Sequence, residues 1–216
     1  CSRCERTIIS EKFKKKRFDT VDVDIDQFVS FVDIPIKHID LCGNLGDPIY
    51  HRDFIQLVKQ IKQLGSYVSI FTNGSYKNTE WWKQLCSLLD CNDTVIFSID
   101  GTPENFTKYR VNGDWKSIKQ GIDVCVSSSV KTQWKYIIFS YNENDIEYCR
   151  FLSKQYGFDE FKIQYSDRWN QDSDWLKPKN INSLGKQSEF KETYKKDINV
   201  PSTIDPDCKD KSQHYI

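Results

Sequence analysis

The sequence contains no methionine, not even at position 1, which suggests a processed chain or a fragment. It carries no excess of charge of either sign, because Lys+Arg and Asp+Glu both number 31. A generic nucleic-acid binder usually has a basic surplus, so this balance argues against that class. No apolar run approaches the ~18 residues that a membrane span requires, and no signal-peptide pattern occurs in the sequence. A disulfide framework is missing too. The 8 cysteines, apart from the first pair, are scattered through apolar or helical stretches, unlike those of a small secreted domain. Buried reduced thiols and a reducing, cytoplasmic setting are therefore expected. At 216 residues the chain accommodates one large domain, or one domain with a short extension.

What is present begins with "CSRC". Cys1 and Cys4 at this spacing can grip one metal or cluster, or close a small redox disulfide. A processed lipoprotein, which also starts with cysteine, is a plainer reading of the same end. The basic run "EKFKKKRF" (11–18) reads as a solvated face or loop.

A regular alternation follows. "DIDQFVSFV" puts Ile25, Phe28, Val29 and Val32 on one helical face, with Asp24 or Asp26 as cap. Strands are expected at "IKHIDLC", "YVSIFT", "DTVIFSID", "QWKYIIFSY" and "FDEFKIQY". The first intervening helix, "RDFIQLVKQIKQLG", repeats Phe54, Leu57, Val58, Ile61 and Leu64 on one face and stops at Gly65. "NTEWWKQLCSLL", "DWKSIKQGIDVCVSS" and "ENDIEYCRFLSKQYG" supply the others. Five strands rich in Val, Ile, Phe and Tyr, separated by single helices, mean β/α units on a parallel sheet. Beyond Asp167 the pattern stops, and 167–207 reads as a linker or irregular extension. The closing "CKDKSQHYI" reads as the start of another strand, so both ends look cut.

In parallel β/α folds, sites form where loops converge at the carboxyl ends of strands. Here those loops are "CGNLGDP", "FTNGS", "FSIDG", "SYNEN" and "QYSDR". Any one of them is ordinary turn chemistry. Three successive strands ending this way, behind a pair of thiolates, say more.

The order of these motifs resembles that of radical S-adenosylmethionine (radical SAM) enzymes. Their C-x-x-x-C-x-x-C follows the first barrel strand, a G-E-P loop the second, a T-N-G turn the third and an S-x-D the fourth. "CSRC" matches the last two cysteines, "GNLGDP" the second motif with Asp47 for Glu, "TNG" (72–74) the third and "SIDG" (98–101) the fourth. The resemblance covers roughly residues 1–166 and implies an α/β fold: a partial (β/α)6 TIM-type barrel with its first strand missing and an irregular C-terminal extension. The first cysteine of the motif would fall upstream of Cys1, so a fragment lacking one cluster ligand is expected.

By the same resemblance, Cys1 and Cys4 hold a [4Fe–4S] cluster. Three protein thiolates leave one iron open, and SAM occupies it. Reductive cleavage of SAM then gives a 5′-deoxyadenosyl radical that abstracts hydrogen from a small-molecule or peptide substrate. An electron donor such as flavodoxin or ferredoxin is implied. Gly43, Gly46 and Asp47 would face the SAM amino group, Thr72 and Asn73 the methionine moiety, and Ser98 and Asp100 the ribose or carboxylate. "DPDCKDKSQHYI" resembles the opening of an appended SPASM or twitch domain, with Cys208 on an auxiliary iron–sulfur cluster; a free surface thiol is the plainer reading.

Other residues read as structural. Arg110 is expected on a surface loop, and His38 and His51 lack metal-ligand spacing, His51 being read as the start of a helix. One ring of Trp81-Trp82 should pack on the sheet while the other covers the surface. Two further functional readings are a thiol oxidoreductase using C-x-x-C and a noncatalytic metal-binding or scaffold protein on a barrel-like fold. The first fits poorly, because that motif normally opens a helix in a thioredoxin-like fold. The second lacks two ligands at zinc-finger spacing.

Overall fold

The computed structural model of the chain describes Thr7 and residues 24–31, 35–43, 46–166, 169 and 174–180. Cys1, Cys4 and Cys208 lie outside the described residues. Helix α1 (Ile25–Phe31) starts at Asp24, whose Oδ1 accepts from the Gln27 amide at 2.8 Å, so Asp24 rather than Asp26 is the cap. Strand β1 (His38–Leu41) leads into a short 3-10 turn (Pro48–Tyr50) and α2 (Phe54–Gln63). Then come β2 (Tyr67–Thr72), α3 (Thr79–Cys86), β3 (Thr94–Ser98) and a second 3-10 turn (Phe106–Lys108). Helix α4 (Trp115–Val126), β4 (Lys131–Ile137), α5 (Ile146–Tyr156) and β5 (Glu160–Gln164) complete the series.

The sheet is all-parallel in the order β1-β2-β3-β4-β5, with β1 and β5 as open edges. Sequential parallel strands with right-handed crossovers put their helices on one face. The buried set agrees. Val68, Ile70, Phe97, Trp134 and Tyr136 pack with Leu57, Ile61, Trp82, Ile118 and Cys149 from the helices. Trp82 is fully buried and Trp81 only half-buried, the division expected of that pair. Alternate strand residues, including Phe71, Ser98 and Lys135, project to the face opposite the helices.

Three local expectations need correction. Leu64 is 38% exposed rather than part of the α2 face, because the helix ends at Gln63 and Leu64 is its cap. Strand β4 stops at Ile137, not Tyr141. Its continuation is diverted when the Phe139 amide donates to Asn142 Oδ1 (2.7 Å) and the Ser140 amide to the Leu176 carbonyl (3.0 Å). β3 likewise ends at Ser98, and Asp100 belongs to the loop. The irregular segment after β5 packs back against the same strand ends. Leu176 is buried with Tyr109 and Phe139, and Trp169 stacks edge-on with Phe139. The described cysteines are free thiols; Cys86, Cys125 and Cys149 are buried, whereas Cys91 is exposed.

At the opposite end of the sheet, Asp93 is fully buried. It accepts from the amides of Val68 and Asp90, both at 2.8 Å, and from Lys62 Nζ at 2.8 Å. Burial pushes the Lys62 ammonium down, but Asp93 and Asp90 outweigh it and raise its pKa overall. The lysine's contribution to stability is therefore complete below its ordinary value of 10.5 and is lost as the pH rises through the raised one. Removing one partner of such a pair leaves a buried charge uncompensated. Asp93→Asn is expected to destabilise the fold by about 3 kcal/mol, measured by equilibrium urea unfolding; an unchanged midpoint would make the pair dispensable.

Candidate active site at the carboxyl ends of the strands

The first two loops are tied together through one carboxylate. Asp47 caps the Pro48–Tyr50 turn, its Oδ1 accepting from the Ile49 amide at 3.3 Å. Its Oδ2 accepts from the Asn73 amide at 2.6 Å and from Thr72 Oγ1 at 3.1 Å. Thr72 Oγ1 in turn accepts from the Gly74 amide (3.0 Å), and Asn73 Oδ1 from the Ser75 amide (2.8 Å). Two glycines make this possible. A Cβ on Gly43 would stand 1.9 Å from the Gly46 carbonyl oxygen, so the turn closes only without a side chain there. Gly74 has φ +72 and presses on Phe97, leaving a Cβ 3.1 Å from that ring.

A carboxylate offers about four acceptor positions. Described donors fill three of Asp47's, and the fourth, on Oδ1, has no donor among the described residues. Burial pushes its carboxyl above the ordinary carboxylate range, while hydrogen bonds from Asn73, Thr72 and Ile49 and the Arg110 charge pull the other way. The net direction is upward, because the described donors do not fully offset the cost of burial.

The third loop separates two residues that look alike in the sequence. Asp100 is fully buried. Its Oδ2 accepts from Arg110 Nε at 2.7 Å and its Oδ1 from the Ile137 amide at 2.8 Å. Its carbonyl accepts from the Tyr141 hydroxyl and, at 3.1 Å, from Asn142 Nδ2. Asp100 thus organises the loop. Ser98, half-buried at the end of β3, points its side chain to the helix-free face, in register with Lys135.

Arg110 is not the surface-loop arginine expected from the sequence. Its side chain is only 21% exposed and it forms an ion pair with Asp100. Burial pushes its pKa down, but the charge of Asp100 overrides this and the guanidinium stays charged. Asn142 was also invisible as a key residue. It is fully buried and its side chain joins Asp100, Ile137 and Phe139. The polar loop "SYNEN" was the available signal, but which of its residues turns inward depends on β4 ending early. Of the described histidines, His38 Nε2 meets Ser69 Oγ at 2.7 Å, and His51 Nδ1 accepts from the Asp53 amide at 3.0 Å ahead of α2.

A family model described as the radical SAM superfamily matches residues 1–153, well over half of the chain. The chain belongs to the radical SAM superfamily. It is 34% identical over 86 residues to a tungsten-containing aldehyde ferredoxin oxidoreductase cofactor-modifying protein of Pyrococcus furiosus, covering 38% of this chain and 24% of that protein. Among solved structures, Streptococcus suis SuiB bound to S-adenosylmethionine has a TM-score of 0.57 at 15% identity, over 83% of this chain and 42% of SuiB. SuiB bound to the precursor peptide SuiA has a TM-score of 0.60 at 14% identity, over 83% and 41%. The radical SAM chain thus spans about a quarter of its curated relative and less than half of SuiB. The five-stranded parallel sheet is the partial barrel of these neighbours, and it is not closed.

The two readings of Arg110 differ in a measurable way. Arg110→Ala should destabilise the fold by about 3 kcal/mol in chemical denaturation, because it strands the buried Asp100 carboxylate. A surface-loop arginine would change stability by roughly 0.5 kcal/mol at most.

Proposed function

We propose that this radical SAM chain is the core of an enzyme that cleaves S-adenosylmethionine reductively and uses the radical to remove hydrogen from a substrate. The observation that carries this reading is the Asp47 carboxylate. It sits at the strand ends with one acceptor position that no described residue fills and with its negative charge incompletely balanced by its described donors. The SAM ammonium is a matching donor, and a charge-assisted hydrogen bond suits a partly buried carboxylate.

When bound, a reduced [4Fe–4S] cluster supplies the electron that cleaves SAM to methionine and a 5′-deoxyadenosyl radical. Cys1 and Cys4 are the proposed cluster ligands in this chain, with flavodoxin or ferredoxin as the class of electron donor. Cys208 is proposed for an auxiliary cluster. The chain's described residues bind and orient. Gly43 and Gly46 let the backbone of the first loop approach the ligand, and Asp47 holds the ammonium. Thr72 and Asn73 fix the Asp47 carboxylate and line the methionine moiety. Ser98 offers a hydroxyl to the ribose or carboxylate, while Asp100 anchors the loop that presents it. The substrate is a small molecule or a peptide; SuiB, which shares the fold, has been solved with a precursor peptide.

The direct test is anaerobic reconstitution of the full-length protein, followed by chemical reduction with SAM present. Formation of 5′-deoxyadenosine is expected, and its absence from protein with an intact cluster would falsify the reading. Asp47→Asn should lower SAM affinity about tenfold to a hundredfold with cluster content unchanged, by calorimetry or equilibrium dialysis. Because the Asp47 pKa is raised, its anion is lost at a higher pH than that of an ordinary aspartate with its value of 3.8. SAM affinity should therefore fall on acidification before that value is reached, and the Asn variant should lack this limb.

A further inference from the structure

The helix-free face of the sheet carries a cationic row directly beneath the loops. Ser98 pairs in register with Lys135, and Lys135 with Lys162, so three adjacent parallel strands project a hydroxyl and two ammonium groups to one side. Neighbouring strands lie about 4.8 Å apart, which brings two like charges close together. Like charges directly opposite one another destabilise a sheet.

No described carboxylate forms an ion pair with either lysine. Asp100 is engaged by Arg110. Glu160, one row below, accepts from Gln133 Nε2, and Asp40 faces His38 at 3.4 Å. Neither lysine has an ion-pair partner among the described residues. Lys135 is half-buried with its ammonium 5.2 Å from the centre of the Phe71 ring, which holds the side chain over the sheet. Burial pushes the Lys135 ammonium down, Asp100 and Cys42 push it up, and Lys162 and Arg110 push it further down. The net direction is downward. Lys135 is a poorly solvated cation that Asp100 influences only without direct contact, and no described carboxylate pairs with it.

We propose that Lys135 and Lys162 form a subsite for a carboxylate of the substrate, on the helix-free face beside Ser98. A carboxylate bridging two ammonium groups removes their repulsion and receives charge-assisted hydrogen bonds from both. The row ends at Ser98, so a substrate anchored here lies next to the proposed SAM site with its remainder free to cross the strand ends. The word substrate rests on the reading of the preceding subsection; the anion subsite rests on the register and on the unpaired lysines.

The test uses the full-length protein and two uncharged-terminus probes, N-acetylglutamate N-methylamide and its glutamine counterpart, titrated while the lysine Nζ signals are followed by NMR. The glutamate probe is expected to bind about tenfold or more tighter than the glutamine probe. Lys135→Gln and the more exposed Lys162→Gln should each reduce that preference, and the double variant should abolish it. Equal binding of the two probes to the wild type overturns the proposal, as does a preference that survives the double variant. SAM affinity and substrate-free 5′-deoxyadenosine formation are measured in parallel. If Lys135→Gln lowers SAM affinity and leaves the probe preference intact, the carboxylate belongs to the cofactor and the proposal fails. Absence of 5′-deoxyadenosine from the wild type sinks the radical reading instead, and it leaves the probe preference as a separate result.

Discussion

The carboxyl end of the sheet is organised around the buried Asp100 carboxylate. An ionised carboxylate withdrawn from water is costly unless each oxygen finds a strong donor. Here one oxygen takes the Arg110 guanidinium and the other the Ile137 amide, so the end of β3 is fastened to β4 and to the loop that carries Arg110. The Asp100 carbonyl extends the network to Tyr141 and Asn142. That fastening adds to the β3–β4 ladder and the Asn142 bonds that hold Ser98 and the 139–142 turn in fixed relation. The price is conformational, since a half-satisfied network of this kind is worse than none.

Asp47 is built on the same logic with a different outcome. Its donors come mainly from backbone and a hydroxyl, and they leave its charge incompletely balanced. Asp100 has its own arginine within 2.7 Å, whereas Asp47 feels Arg110 only at longer range. The two strand-end aspartates therefore differ: the buried Asp100 locks the scaffold, whereas the partly buried Asp47, on the loop after β1, is tied by weaker donors. Asp47's ties to Thr72 and Asn73 hold the loop after β1 to the end of β2.

One-sided packing explains why the chemistry gathers where it does. With the helices on one face, the apolar strand residues are covered there, and the polar alternates Ser98, Lys135 and Lys162 are left on the other. In a sheet covered on both faces these positions would have to be apolar. Lys131, Gln133 and Lys135 on β4 and Glu160, Lys162 and Gln164 on β5 thus make a polar face that no described helix covers.

Periodicity alone determined the element order, the parallel β/α architecture and the strand-end loops, because apolar spacing reports burial and glycine, asparagine and aspartate report turns. The cap of the first helix was legible down to Asp24 or Asp26 because a cap needs only local backbone geometry, and Asp24 fills it. The motif order pointed to the superfamily before any coordinates. Tertiary structure alone decided which polar residues face one another. Arg110 lies ten positions from Asp100, and Ile137 and Asn142 lie about forty, so no local pattern could pair them. Likewise "QWKYIIFSY" reads as one long strand until Asn142 and Leu176 capture the amides of Phe139 and Ser140 and end it at Ile137. Ser98 and Asp100 stand two residues apart in "SID", yet one carries an open hydroxyl side chain and the other a buried ion pair. That difference is set by strand register and by a distant arginine, quantities that exist only once the chain has folded.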